Sequence, residues 1–312
     1  MIIWIASYPK SGNTWVRAFL SAYYYTQDGF YDAKQLEQIP DYPNAKIIGK
    51  NIEENTIHYY WKESQEKFIK DNKIVFLKTH NAMLSIGKYP FTTPKFTKGV
   101  VYIVRDPRNV ITSLKNHMDF STYDEAFNFM NDRNIILTNK SKIFSRNQFI
   151  SSWKINYSSW TKMNEFKKFL VRYEDMILQP EKTFRQLIHF TNKLSNHESN
   201  IDEEKFKNAL SSTSFENMKN SEKRGEFKES VNSPLNNNKR EFFYLGPKNN
   251  WQNLLDDKML SKMNQYFGND LKLLRYETWK LLVLKIFIDN LKVILNEKEN
   301  YFSSYRMLGK NG

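Results

Sequence analysis

The 312-residue chain contains no cysteine, which excludes disulfides and thiolate metal sites and fits a reducing, cytoplasmic setting. No run reaches the ~18 uninterrupted apolar residues of a spanning helix, so no transmembrane segment is expected. No signal peptide is expected either, because the first dozen residues already read as part of the fold. Acidic residues are in deficit: 34 Asp and Glu stand against 47 Lys and Arg, a formal charge of +13. Such a balance suits a polyanionic ligand, a nucleic acid or an anionic membrane, and by itself chooses none of them. Internal repeats are missing, and so is any clear linker before the C-terminus. With 40% apolar and 26% charged residues, the chain can bury the core of one large α/β domain.

The apolar run Ile2-Ile3-Trp4-Ile5-Ala6 reads as a strand covered on both faces. Strand-like runs recur at 74–78, 100–104 and 169–172, and helical patterns fall at 13–25, 107–118, 145–165, 180–193 and 202–210. Strands separated by helices need crossovers and therefore pair in parallel. The expected architecture is α/β, a single domain over 1–275 with a central parallel sheet flanked by helices, and a helical extension over 276–312. Residues 28–72, irregular and rich in Tyr, Asn and charge, read as an insert placed to cover an acceptor site. The polar stretch 220–250, with its Asn run, reads as a mobile loop over a cofactor. In 278–295, Lys285, Asp289 and Lys292 share one helical face and the rest is nearly all apolar. That segment is expected to pack on the protein's own core, ahead of an oligomer contact or a shallow membrane association.

Three stretches carry chemistry. "YPKSGNTW", Tyr8 to Trp15, joins the first strand to a helix through a glycine-containing turn. The free N–H groups and positive dipole end of that helix make an anion site, and Lys10 adds a formal charge. A nucleotide-triphosphate loop needs its lysine after the second glycine; here Lys10 precedes Gly12, so an ordinary kinase or NTPase is disfavoured, and a purely structural turn stays open. "FLKTH", Phe76 to His80, sets a cation, Lys78, beside a base, His80, at the carboxyl end of a strand. "VVYIVRDPRNVITSLKNH", Val100 to His117, delivers Arg105 to a strand end, caps the next helix with Asp106 and Pro107, and offers the Ser113 hydroxyl two turns on. Two cationic turns with one base between them suggest a nucleotide with phosphate at both ends.

Together these motifs closely resemble the cytosolic-type sulfotransferases that use 3′-phosphoadenosine 5′-phosphosulfate (PAPS). "YPKSGNTW" is similar to that family's 5′-phosphosulfate loop, "RDPRNVITS" to its 3′-phosphate motif, and "KTH" to the segment with its catalytic histidine. "RYEDM", 172–176, and "TSFENMK", 213–219, match segments that line the adenine pocket, and "YLGPKNNWQN", 244–253, looks like the late R-K-G-x-x-G-D-W-K-N loop. The resemblance implies transfer of a sulfuryl group from PAPS to an acceptor hydroxyl or amine, with no metal. It implies His80 as general base, Lys10 at the bridging oxygen and Lys78 at the sulfuryl oxygens. Lys10, Ser11, Gly12, Asn13 and Thr14 would hold the 5′-phosphate side, Arg105, Ser113 and Gly246 the 3′-phosphate side, and Trp15, Tyr173, Phe215 and Met218 the adenine.

There are departures. Tyr244-Leu245 replace the Arg-Lys of the late loop, leaving Lys239, Arg240 and Lys248 as candidate substitutes, and Asn13 stands where many relatives have Thr. The family's K-x-x-x-T-V-x-x-x-E dimer signature is not visible, so the oligomeric state stays open. The acceptor, a small molecule, carbohydrate or lipid, should be chosen by segments 28–72, 81–98 and 120–145. Two other readings are weighed. A phosphotransferase should show a Walker lysine followed by a Mg²⁺-binding Ser/Thr. A nucleic-acid module should interleave basic residues with exposed aromatics. Neither pattern is present, and no nucleic-acid partner is expected.

Overall fold

The computed structural model describes residues 1–49, 52–68, 73–138, 147–197, 200–227, 229, 231–232 and 239–276. Strand β1, Ile2–Ser7, is buried along its whole length, as an apolar run is when helices cover both faces of a parallel sheet. It pairs in parallel with β2, Val75–Thr79, on one side and β3, Thr97–Val104, on the other; β4, Lys167–Arg172, joins beyond β3. The order is β2-β1-β3-β4. From β1 the chain crosses toward β2, and from β3 it crosses the opposite way toward β4. The crevice between the carboxyl ends of β1 and β3 is therefore a topological switch point, where open parallel sheets bind ligands.

Helix α1, Asn13–Tyr25, follows β1 and buries Val16, Phe19, Leu20 and Tyr23. Helix α2, Pro107–Met118, follows β3; the Asp106 side chain accepts from the Arg108 N–H and Pro107 occupies the first turn, which starts the helix where the sequence expected it. The helix expected over 145–165 is shorter. The chain forms a two-residue strand, Gln148–Phe149, and Ser151 takes a left-handed φ of 55°. Helix α3, Trp153–Thr161, begins after Ser152, whose side chain accepts from the Ile155 N–H. Three more helices follow β4: α4, Tyr173–Leu178, α5, Pro180–Ser195, and α6, Glu203–Ser212. Helix α7, Phe215–Lys223, comes next and was not foreseen as a helix.

The insert before β2 is less loose than its composition suggests. Tyr42 and Trp61 are fully buried; the Tyr42 ring lies 5.3 Å from Trp4, and its hydroxyl donates to the Trp61 carbonyl at 3.1 Å. The Tyr42 N–H donates to the Lys78 carbonyl at 2.7 Å, and the Lys78 N–H donates to the Pro40 carbonyl at 3.0 Å. The insert thus runs along the outer side of β2.

The chain divides into a compact body, Met1–Leu260, and a second unit from Ser261; the sequence places its boundary at 275. Among the described residues no helix is long and apolar enough to cross a membrane. The stretch 278–295, residues 233–238 of the late loop and 139–145 of the third acceptor segment lie outside the described residues.

Candidate functional site

The turn between β1 and α1 depends on backbone that few residues adopt. Lys10 has φ 65° and Gly12 has φ 99°, both left-handed. A Cβ on Gly12 would also lie 2.5 Å from Cδ2 of Tyr173, so only glycine fits there. Gly12 caps α1 with no side-chain hydrogen bond, which leaves the first N–H groups of the helix to an external acceptor. Asn13 ties the turn down, its Nδ2 donating to the Ile5 carbonyl at 3.0 Å and to Ser7 Oγ at 3.2 Å. Ser11 Oγ and Arg105 Nε are buried without a partner. Buried donors are almost always satisfied, and an unpartnered guanidinium nitrogen beside an uncapped helix end is an arrangement that can hold an anion.

Arg105 stands at the end of β3 and links the two turns, its Nη1 donating to the Lys10 carbonyl at 2.9 Å. Its guanidinium lies 4.1 Å from the Tyr173 ring centroid. Behind it the Asp106 N–H donates to Glu174 Oε1 at 3.0 Å. Burial, reinforced by Asp106 and opposed by Arg105, pushes the Glu174 carboxyl up to about 7. The sequence passed over this buried acid, which braces the Arg105 turn from below.

Lys10, Gly12, Asn13, Thr14, Trp15, His80, Arg105, Ser113, Tyr173, Phe215, Met218 and Gly246 all line one cavity. Trp15 and Tyr173 meet edge-to-face with centroids 6.3 Å apart, forming an aromatic slot with Phe215 and Met218. Gly246 is pressed against Phe215, which leaves no room for a side chain.

His80 is oriented by its surroundings. Its N–H donates to Gln148 Oε1 at 2.6 Å and its carbonyl accepts from Asn156 Nδ2 at 2.9 Å. Nδ1 lies 2.8 Å from the Ser7 carbonyl. A carbonyl only accepts, so Nδ1 carries the hydrogen and Nε2 holds the lone pair. Burial and the Lys78 charge hold the imidazole well below its ordinary value, against the Ser7 bond and Asp41. The imidazole is thereby biased toward its neutral form, with Nε2 as its acceptor nitrogen.

Lys10, from the turn itself, also lines the cavity. Its Nζ lies 4.2 Å from the Phe242 ring centroid and 3.4 Å from His117 Nδ1. Burial and then Arg105 bring its ammonium down to about 7, opposed by Glu222 and Glu229. An anion seated in the turn reverses that balance.

Two expected residues do not line the cavity. Ser11 is buried outside the lining, with its hydroxyl unpartnered. Lys78 turns to Asp41, at 3.2 Å, and acts on His80 through its charge. Of the candidate substitutes for the late-loop cations, Arg240 bonds the Asn116 carbonyl and pairs with Asp119, and Lys248 is exposed. Tyr244 and Leu245 themselves line the cavity, along with Asn116, His117, Phe242, Phe243 and Asn249. His117 is not among the site residues expected from the sequence. The signal for it was its spacing of four from Ser113, which puts both on one face of α2.

A family model described as "Sulfotransferase domain" matches residues 2–275. Among solved structures, mouse sulfotransferase SULT7A1 complexed with PAP is similar over 86% of this chain and 84% of its own, at 16% identity and a TM-score of 0.50. At that identity the likeness is one of fold. The sulfotransferase domain from the curacin biosynthetic pathway is similar over 62% of this chain and 73% of its own, at 14% identity and a TM-score of 0.27. No curated protein gives a match.

Proposed function

This chain belongs to the sulfotransferase domain family, and from that premise we propose that it transfers a sulfuryl group from PAPS to a hydroxyl or amine of a small-molecule, carbohydrate or lipid acceptor. The observation that carries the reading is the convergence of Lys10, Arg105 and His80 on one cavity, beside an aromatic slot fit for adenine. The 5′-phosphosulfate sits on the α1 N-terminus, with Lys10 at the oxygen bridging phosphorus and sulfur. The 3′-phosphate takes Arg105 and Ser113. His80 Nε2 accepts the acceptor's proton as the acceptor oxygen or nitrogen bonds to sulfur. The bond from sulfur to the bridging oxygen breaks, and 3′,5′-ADP departs with the electron pair while Lys10 stabilises its charge. As in phosphoryl transfer, alignment and electrostatics do the work. Lys10 and Arg105 supply the positive charge, so the reading invokes no metal.

The primary test is calorimetric binding of 3′,5′-ADP beside ATP-Mg. 3′,5′-ADP should bind tightly and ATP poorly, since ATP lacks a 3′-phosphate. Arg105→Ala should weaken 3′,5′-ADP by about 1.5–3 kcal/mol, the range for a lost charged hydrogen bond. Equal binding of the two nucleotides, untouched by the substitution, would overturn the donor assignment. Radiolabelled PAPS incubated with fractionated cell extract then identifies the acceptor.

Binding should also take up protons. At pH 8 the Lys10 ammonium, brought down to about 7, is largely neutral in the free protein. A bound phosphate favours its charged form and raises its pKa. Calorimetry at pH 8 in buffers of different ionisation enthalpy should therefore show uptake approaching one proton per 3′,5′-ADP. Uptake unchanged in Lys10→Met would assign the proton elsewhere.

A further inference from the structure

The segment that carries Phe242 is held in an unusual way. It does not pair in a sheet beyond Arg240; its backbone is gripped by side chains of α7. Glu222 Oε1 accepts from the Phe242 N–H at 2.7 Å and Oε2 from the Phe243 N–H at 2.9 Å. Both carboxylate oxygens are thus spent on two consecutive backbone donors, and Glu222 is buried. Lys219, one turn earlier, donates to the Tyr244 carbonyl at 3.0 Å. The Phe242 ring so placed lies against the Lys10 ammonium and meets the His117 ring edge-on at 5.9 Å. Phe215, Met218 and Glu222 follow one another at spacings of three and four, so one face of α7 carries both the aromatic slot and the clasp.

We propose that Glu222 is a positioning residue for Lys10: by clasping the Phe242–Phe243 backbone it sets the Phe242 ring against the lysine that meets the phosphosulfate. The inference rests on the donor reading given above. Its mechanical content is that α7, which carries Phe215 and Met218 of the aromatic slot, also fixes the aromatic wall against which Lys10 lies. Its electrostatic content is that Glu222 is a buried negative charge near Lys10. The charged and titratable groups facing Lys10 are Arg105 from the β3 end, His117 from α2, Glu222 from α7 and Glu229 from the segment after it.

The test is a double-mutant cycle on 3′,5′-ADP binding with Glu222→Gln, Phe242→Leu and the pair. Each single variant should weaken binding about 3- to 30-fold, the span of coupling through a packed network. The pair should be no worse than the more damaging single, because both act through the same ring. Phe242→Leu leaves the carboxylate and both backbone donors in place, so it reads the ring's part even if Glu222→Gln folds poorly, and wild-type binding by Phe242→Leu also overturns the proposal. Glu222→Gln should also move the pH at which proton uptake sets in downward, since a negative charge that favours the Lys10 ammonium is gone. A general loss of stability does not produce that displacement. Wild-type binding by Glu222→Gln, or losses that add in full, overturns the proposal. A wild-type protein that ignores 3′,5′-ADP overturns the donor reading instead, and that outcome is seen before any variant is made.

Discussion

His80→Ala is expected to cut turnover by about 10²–10⁴-fold, the usual worth of general acid–base catalysis, while 3′,5′-ADP binding stays nearly unchanged. The separation follows from the ring's orientation. Nδ1 is engaged by the Ser7 carbonyl at 2.8 Å, so in the proposed mechanism Nε2 is the nitrogen that would take the acceptor's proton. The pH profile should carry the same signature. Burial and Lys78 hold the imidazole well below its ordinary value, and the base works in its neutral form. Turnover should therefore persist as pH falls beneath the usual histidine range and decline only further into acid. The measurement uses the true acceptor or a surrogate phenol. Near-normal turnover by His80→Ala would falsify the assignment and direct attention to a carboxylate base.

Lys10→Met should damage two quantities at once. Methionine keeps the length of the side chain and removes the ammonium, so what is lost is charge rather than packing. Turnover should fall about 10²–10³-fold, as when one preorganised donor to developing negative charge is deleted. Binding of 3′,5′-ADP should weaken about tenfold or more, the loss of a hydrogen bond to a charged group. The contrast with His80→Ala is the informative part. In the proposed mechanism a residue at the bridging oxygen would touch the nucleotide before and after transfer, whereas the base would touch the acceptor alone. Turnover lost with nucleotide binding intact would place Lys10 away from the phosphosulfate.

The sheet and both turns were legible because each rests on local rules. A fully apolar run at 2–6 has to be an inner strand, Gly12 supplies a left-handed φ, and the Asp106-Pro107 pair starts a helix. What escaped depends on partners distant in sequence. Lys78 pairs with Asp41, from an insert whose course composition does not reveal. His117 reaches Lys10 across 107 residues, and the Glu222 clasp takes its donors from backbone, which leaves no motif. The helix over 145–165 was overextended because Ser151 and Ser152, which break and restart the chain, carry a signal shorter than the helical pattern around them.

The passage of Pro40–Tyr42 beside β2 has a consequence for the molecule in company. An outermost strand offers a row of unsatisfied N–H and C=O groups to any neighbouring chain and so invites strand addition between molecules. Here the Lys78 N–H and carbonyl are already taken, by Pro40 and Tyr42. The insert serves as a guard rail for that edge, and the same two bonds steady the strand from whose end His80 projects.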